Sequence, residues 1–105
     1  MTDSPVNAAL SETAPGQLML GGVLDYRTGA ALRKQGQALI SGSQVEAVVV
    51  DCSAVEKSSS VGVSLLLAFT RDAIAAGKTL QVRAMPHDMQ QIAQVCGLTG
   101  MFAEV

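Results

Sequence analysis

Apolar residues in this chain fall into short runs, and their period switches between two and about 3.6, which marks out the elements. Ala8 to Ser11 reads as a short edge strand. Pro15-Gly16 is a turn signal, and Leu18-Met19-Leu20 after it predicts the second arm of a hairpin, ended by Gly21 and Gly22. Asp25 stands where a helix N-cap would. Beyond it, Ala31, Leu32, Gln35, Gly36, Leu39 and Ile40 recur at helical spacing. Gly36 weakens that helix unless something packs closely on it.

The run Ala47-Val48-Val49-Val50 is apolar and mostly β-branched, the pattern of a strand buried on both faces at the centre of a mainly parallel sheet. Ser58 to Ser60 lead into Val61–Ala76, the strongest helical segment, with Gly77 as its stop. Leu80 and Val82 alternate with Gln81 and Arg83 to give another strand. Pro86 opens a last helix with Met89, Ile92, Ala93 and Cys96 on one stripe and Gly97 at its end. Met1 to Pro5 reads as a loose polar terminus. The predicted order is β-β-α-β-α-β-α. That is an α/β fold: a mixed, mostly parallel sheet of about four strands with an N-terminal hairpin, covered by about three helices. With 105 residues and no internal boundary, the expectation is a single domain over residues 1–105.

Composition narrows the function. A net charge of −2 gives no attraction for nucleic acid or an anionic membrane surface. Charged residues are only 15% of the chain and mean hydropathy is +0.34, so some apolar surface is expected to be exposed, as at an interface. Arg71 and Asp72 interrupt the longest apolar stretch, and the N-terminus lacks a basic start and an apolar run, so neither membrane insertion nor secretion is expected. The expected location is the cytoplasm. Cys52 and Cys96 are far apart, with a single histidine, and are read as buried small hydrophobes; no zinc or other cofactor is expected.

Little in the sequence speaks for catalysis. His87 follows Pro86 at a helix start and reads as a solvated polar residue. Neither a phosphate-binding G-x-x-x-x-G-K-[ST] loop nor a G-x-G-x-x-G turn is present. Ser60, His87 and Asp51 make a catalytic trio only on paper, because no nucleophile elbow surrounds the serine. A lipid carrier would need an internal cavity, and the short apolar elements suffice only to fill one core.

One segment stands out. Ser58, Ser59 and Ser60 sit where a helix has unsatisfied N–H groups and the positive end of its dipole. In the plain reading one of them caps the helix, with Ser59 and Ser60 both open, and the others fill the loop. In the functional reading the tip is a recognition point for a partner or a phosphoryl group. Gly62, in the first helical turn, would let another backbone approach. Val63, Leu66, Leu67, Thr70 and Ile74 make one stripe and Leu65, Phe69 and Ala73 a second, more apolar surface than one buried face needs. A partner surface is the expectation.

From about Leu18 to about Phe102 the chain resembles STAS domains, which include anti-sigma factor antagonists, the tails of sulfate transporters and small lipid-transport accessory subunits. The resemblance lies in Val48-Val49-Val50-Asp51-Cys52-Ser53, then Ser59-Ser60-Val61-Gly62-Val63 against a D-[ST]-x-G-[LV] signature, then Leu65-Leu66-Leu67, with Gly77-Lys78-Thr79-Leu80 and Gly97-Leu98 later. It implies that Ser60 matches the regulatory hydroxyl and Gly62 the signature glycine, while the family's Asp falls on Ser59. The lost Asp and the Leu-rich helix place Ser58 to Ala73 nearer the minimal subunits of Mla-type phospholipid ABC transporters than the sigma-factor branch. The resemblance implies a non-catalytic partner of an MlaF-like ATPase at the inner face of the inner membrane, docking through Ser58, Ser59, Ser60, Gly62, Val63 and Leu66. Its alternative is a switch that binds an anti-sigma factor and is phosphorylated by a serine kinase.

Overall fold

The computed structural model describes residues 8–98, 100 and 102–104, and the terminus Met1–Pro5 lies outside them. The elements are β1 (Ala8–Ala14), β2 (Gln17–Leu24), α1 (Gly29–Gly42), β3 (Ala47–Ser58), α2 (Ser60–Ala75), β4 (Thr79–Arg83), α3 (His87–Val95) and β5 (Ala103–Glu104). They build one sheet in the order β1-β2-β3-β4-β5, with β1 antiparallel to β2 and every other pairing parallel. The α/β class, the hairpin and the helix order are those the pattern predicts. The two-residue β5 is an addition to them.

Spatial order in the parallel part equals chain order. Crossovers of one hand that always step the same way across a sheet must leave their helices on the same face. The core confirms it. Leu10, Leu18, Leu20, Val48, Val50, Cys52, Leu80 and Val82 point into one cluster with Leu32 and Ile40 of α1, Phe69 of α2 and Met89 of α3. The alternate residues Ala9, Ser11, Ala47, Ser53 and Arg83 are exposed. The Val-rich run of β3 is therefore central but covered by helices on one side only. On its second face Val49 is nonetheless buried, with Gln17 and Gln81 beside it in register.

Several boundaries differ from the sequence reading, that of β1 among them, which runs to Ala14 rather than Ser11. β2 does not stop at Gly21-Gly22: it runs to Leu24, with register shifts against β3 and Gly22 at φ 88°, so the glycines carry an irregularity within the strand. Nor is Asp25 the cap of α1. Its carbonyl accepts from the N–H groups of Thr28 and Gly29, and its carboxylate accepts from Arg27 N at 2.9 Å, so it closes a turn ahead of a helix that starts at Gly29. β3 continues through polar Ser53 to Ser58, because backbone pairing with β2 holds it extended where side-chain alternation is silent. The stops read correctly. At the ends of α2 and α3, Gly77 and Gly97 both adopt φ 72°, and the two turns share one pattern: Lys78 N to Ala73 O with Gly77 N to Ile74 O, and Leu98 N to Ala93 O with Gly97 N to Gln94 O.

Helix α1 meets α2 where Gly36 faces Phe69. A Cβ at Gly36 would stand 2.6 Å from Phe69 Cζ, so the glycine is the close contact that its place in a helix requires. The ring is fully buried, and removing such a side chain costs about 3–5 kcal/mol. Arg33 and Asp72 tie the same two helices through a two-pronged ion pair at 2.6 and 3.1 Å.

Candidate functional site

The parallel strands β2, β3 and β4 all end on one side of the molecule, and the loops that leave them carry Asp25–Thr28, Ser59 and Ala84–Pro86. Sites in open parallel sheets form at this end.

Its centre is the entry to α2. Ser59 is the cap: its backbone is extended, and its Oγ accepts from Val61 N at 3.1 Å. The same hydroxyl donates to Leu24 O at 3.3 Å, and Ser59 N donates to that carbonyl at 2.9 Å. Ser59 therefore stitches the tip to the end of β2. Beneath it, Ser58 is buried; its Oγ donates to Ser59 O at 2.8 Å, and its N–H donates to Asp88 Oδ2 at 3.3 Å. The other oxygen of Asp88 accepts from Met89 N at 2.9 Å, so one carboxylate joins the first turn of α3 to the end of β3.

Ser60 is the first residue of α2 and is exposed. Among the described residues nothing hydrogen-bonds its hydroxyl, whereas its neighbours Ser58 and Ser59 are both engaged. The tip is thus a rigid base with one hydroxyl turned outward.

The remaining predicted site residues lie inside the fold. Gly62 and Val63 are buried, and Leu66 is fully so. Gly62 makes room for this chain's own side chains: a Cβ there would fall on Ser58 Oγ and stand 3.0 Å from Leu24 Cδ1 and 3.2 Å from Met89 Cε. Both apolar stripes of α2 serve mainly the core. Val63, Leu65, Leu66, Phe69 and Ala73 are buried, Leu67 and Thr70 half-buried, and only Ile74 is exposed. The surplus of apolar residues arises because the helix fits between α1 and α3 as well as on the sheet, not because it faces outward.

The paper trio is not assembled. Ser60 and His87 open two different helices, and Asp51 sits in the middle of β3, about 23 Å of extended chain before its end. Hydrogen bonds from Ser53 hold the Asp51 carboxyl below the usual carboxylate range. Among the described residues, no group of three or more His, Cys, Asp or Glu could hold a metal ion, and no helix is long and apolar enough to cross a membrane. Cys52 is buried, which together with Asp51 pushes its thiol up to about 12; Cys96 is exposed, contrary to its reading as a core residue, because α3 has already ended at Val95.

Sequence reasoning missed three features of this end. Tyr26 projects from the turn after β2. Asp88 clamps the tip. Ala84, a non-glycine at φ 56°, holds a strained left-handed turn between β4 and α3. The sequence pattern marks Asp25 in this region, but as a helix cap rather than as the residue that closes a turn.

The fold, a β-α winding behind an N-terminal hairpin, agrees with what comparison shows. Over residues 8–103 the chain matches a protein-family model described as "Mlab, STAS domain". The chain belongs to the MlaB-type STAS domain family. Domains of this family are generally non-catalytic binding modules that act through protein–protein contacts. Among curated proteins none matches. This STAS domain is similar in structure to the anti-sigma factor antagonist SpoIIAA in its unphosphorylated form, at TM-score 0.71 and 17% identity over 93% of this chain and 87% of the other. The phosphorylated form of SpoIIAA, described as a Bacillus cell fate determinant, aligns at TM-score 0.65 and 19% identity over 93% and 90%. An anti-sigma factor antagonist from Mycobacterium paratuberculosis aligns at 0.71 and 24% over 92% and 82%. Identities this low establish the common fold. Ser59 caps α2 with a neutral side chain, so the cap places no negative charge beside Ser60.

Proposed function

We propose that this STAS domain is a non-catalytic docking subunit that binds the ATPase of a phospholipid-transporting ABC system. In this reading it contacts an MlaF-like subunit on the cytoplasmic face of the inner membrane and supports its assembly or activity. The observation that carries the reading is the tip itself, in a chain matched by the MlaB-type family: a fixed base of Ser58, Ser59 and Asp88 beneath one exposed, unengaged hydroxyl on Ser60. A preorganised surface loses little freedom on association. The buried residues Gly62, Val63 and Leu66 contribute by holding the tip in shape rather than by touching the partner.

Affinity purification of the tagged chain from its native cell, with co-purifying proteins identified by mass spectrometry, tests this. Recovery of an ABC ATPase together with its permease supports the reading. Its absence beside a recovered anti-sigma factor overturns it.

A second reading has its own support. Solved structures similar to this chain include anti-sigma factor antagonists, one of them seen in phosphorylated and unphosphorylated forms, and the exposed Ser60 hydroxyl is accessible to a kinase. Phosphorylation there would place nearly two negative charges at the N-terminus of α2. Incubation with the cognate serine kinase and ATP, followed by intact-mass measurement, decides it: one added phosphate on Ser60 favours the switch, and none removes it.

A further inference from the structure

We propose that Tyr26 is the aromatic anchor of the docking surface, seating its ring in an apolar pocket of the partner protein beside the contact made by Ser60; the inference rests on the docking reading above. Three large hydrophobic side chains are exposed among the described residues: Tyr26 at 84%, Ile74 at 68% and Val95 at 87%. Ile74 and Val95 lie in the last turns of α2 and α3, at the far end from the tip. Tyr26 alone stands at the end where β2 and β3 deliver their loops.

The turn that carries Tyr26 is held on both sides. Asp25 accepts from Arg27 N at 2.9 Å and from Arg27 Nη2 at 2.8 Å. Thr28 Oγ1 accepts from Asp25 N at 3.2 Å and is within hydrogen-bond distance of the carbonyls of Val23 and Asp25. None of these bonds uses the phenol, so the turn is ordered while its largest side chain is left in water. Two residues before Tyr26, Leu24 O receives both the N–H and the hydroxyl of Ser59. Directly after the turn, a Cβ on Gly29 would stand 2.9 Å from Val61 Cγ1, so the starts of α1 and α2 touch. The turn that carries Tyr26 and the helix tip that carries Ser60 are therefore joined at the same end of the molecule. Tyrosine on a fixed backbone brings large contact area with only two side-chain torsions to immobilise, which is why it is enriched among residues that dominate binding energy.

The test uses the full chain and the ATPase that co-purifies with it, comparing wild type, Tyr26→Ala, Tyr26→Phe and Ser60→Glu by titration. Tyr26→Ala should weaken binding about tenfold or more, and Tyr26→Phe should retain most of it. Because the side chain is exposed, thermal unfolding of both variants should match wild type. Wild-type affinity in Tyr26→Ala beside lost affinity in Ser60→Glu overturns the anchor and leaves the docking reading intact. Wild-type affinity in both variants, or no ATPase recovered at all, overturns the docking reading and the anchor with it. Lost affinity in Tyr26→Ala alone supports the anchor and removes Ser60 from the contact.

Discussion

The hydroxyl of Ser58 occupies the space that a side chain at Gly62 would need. Through that contact the end of β3 and the first turn of α2 lie against each other, with Leu24 and Met89 closing the sides. The exposed tip is thus supported by residues that never reach the surface.

Gly62→Ala should therefore destabilise the chain by about 1–3 kcal/mol, as overpacking of a filled core does, although alanine is the better helix former. Chemical denaturation measures it. Adding Ser58→Ala removes the obstructing oxygen, and the double variant should recover part of the loss relative to the single one.

Gly36→Ala tests the second close approach. On an exposed helix this change gains up to about 1 kcal/mol, but here the new methyl meets the Phe69 ring. A lower unfolding midpoint is expected, partly restored by Phe69→Leu in the same chain. A gain in stability would show that the ring has room to move.

Ser59→Ala should cost about 1 kcal/mol through loss of the cap, since Val61 N is left without its acceptor. Ser60→Ala should leave stability unchanged, because among the described residues that hydroxyl has no partner. Equilibrium unfolding of the two variants side by side separates the capping serine from the outward one.

The two cysteines should behave oppositely. At pH 8 a thiol reagent should label Cys96 quickly and Cys52 only on unfolding. The Cys52 thiol is raised by burial from 9.0 to about 12, so the folded state keeps its proton where the unfolded chain has lost it. Stability is then complete below about pH 9 and falls as pH rises towards 12. Urea midpoints between pH 8 and pH 10.5 should decline in wild type and decline less in Cys52→Ala.

Element order and helix stops were legible because Gly77, Pro86 and Gly97 are local signals, and the period of Leu and Val positions needs no tertiary context. What escaped the pattern depends on distant partners. β3 extends through Ser53–Lys57 because β2 pairs with it, and α2 looked like an interface because its neighbours α1 and α3 are invisible in its own residues. At the site, the serine cluster showed where to look. Only coordinates separate the buried Ser58, the capping Ser59 and the outward Ser60, or bring Asp88 and Tyr26 to the same end.

The central claim is that binding of the partner runs through Ser60. Glutamate at that exposed first helical position suits the helix dipole and should leave the fold intact, so Ser60→Glu isolates binding from stability. The measurement is titration of the co-purified ABC ATPase with wild-type and Ser60→Glu chains of matched thermal stability. The account predicts that the variant loses most of its affinity. Equal affinity in both would contradict it and move the contact away from the tip.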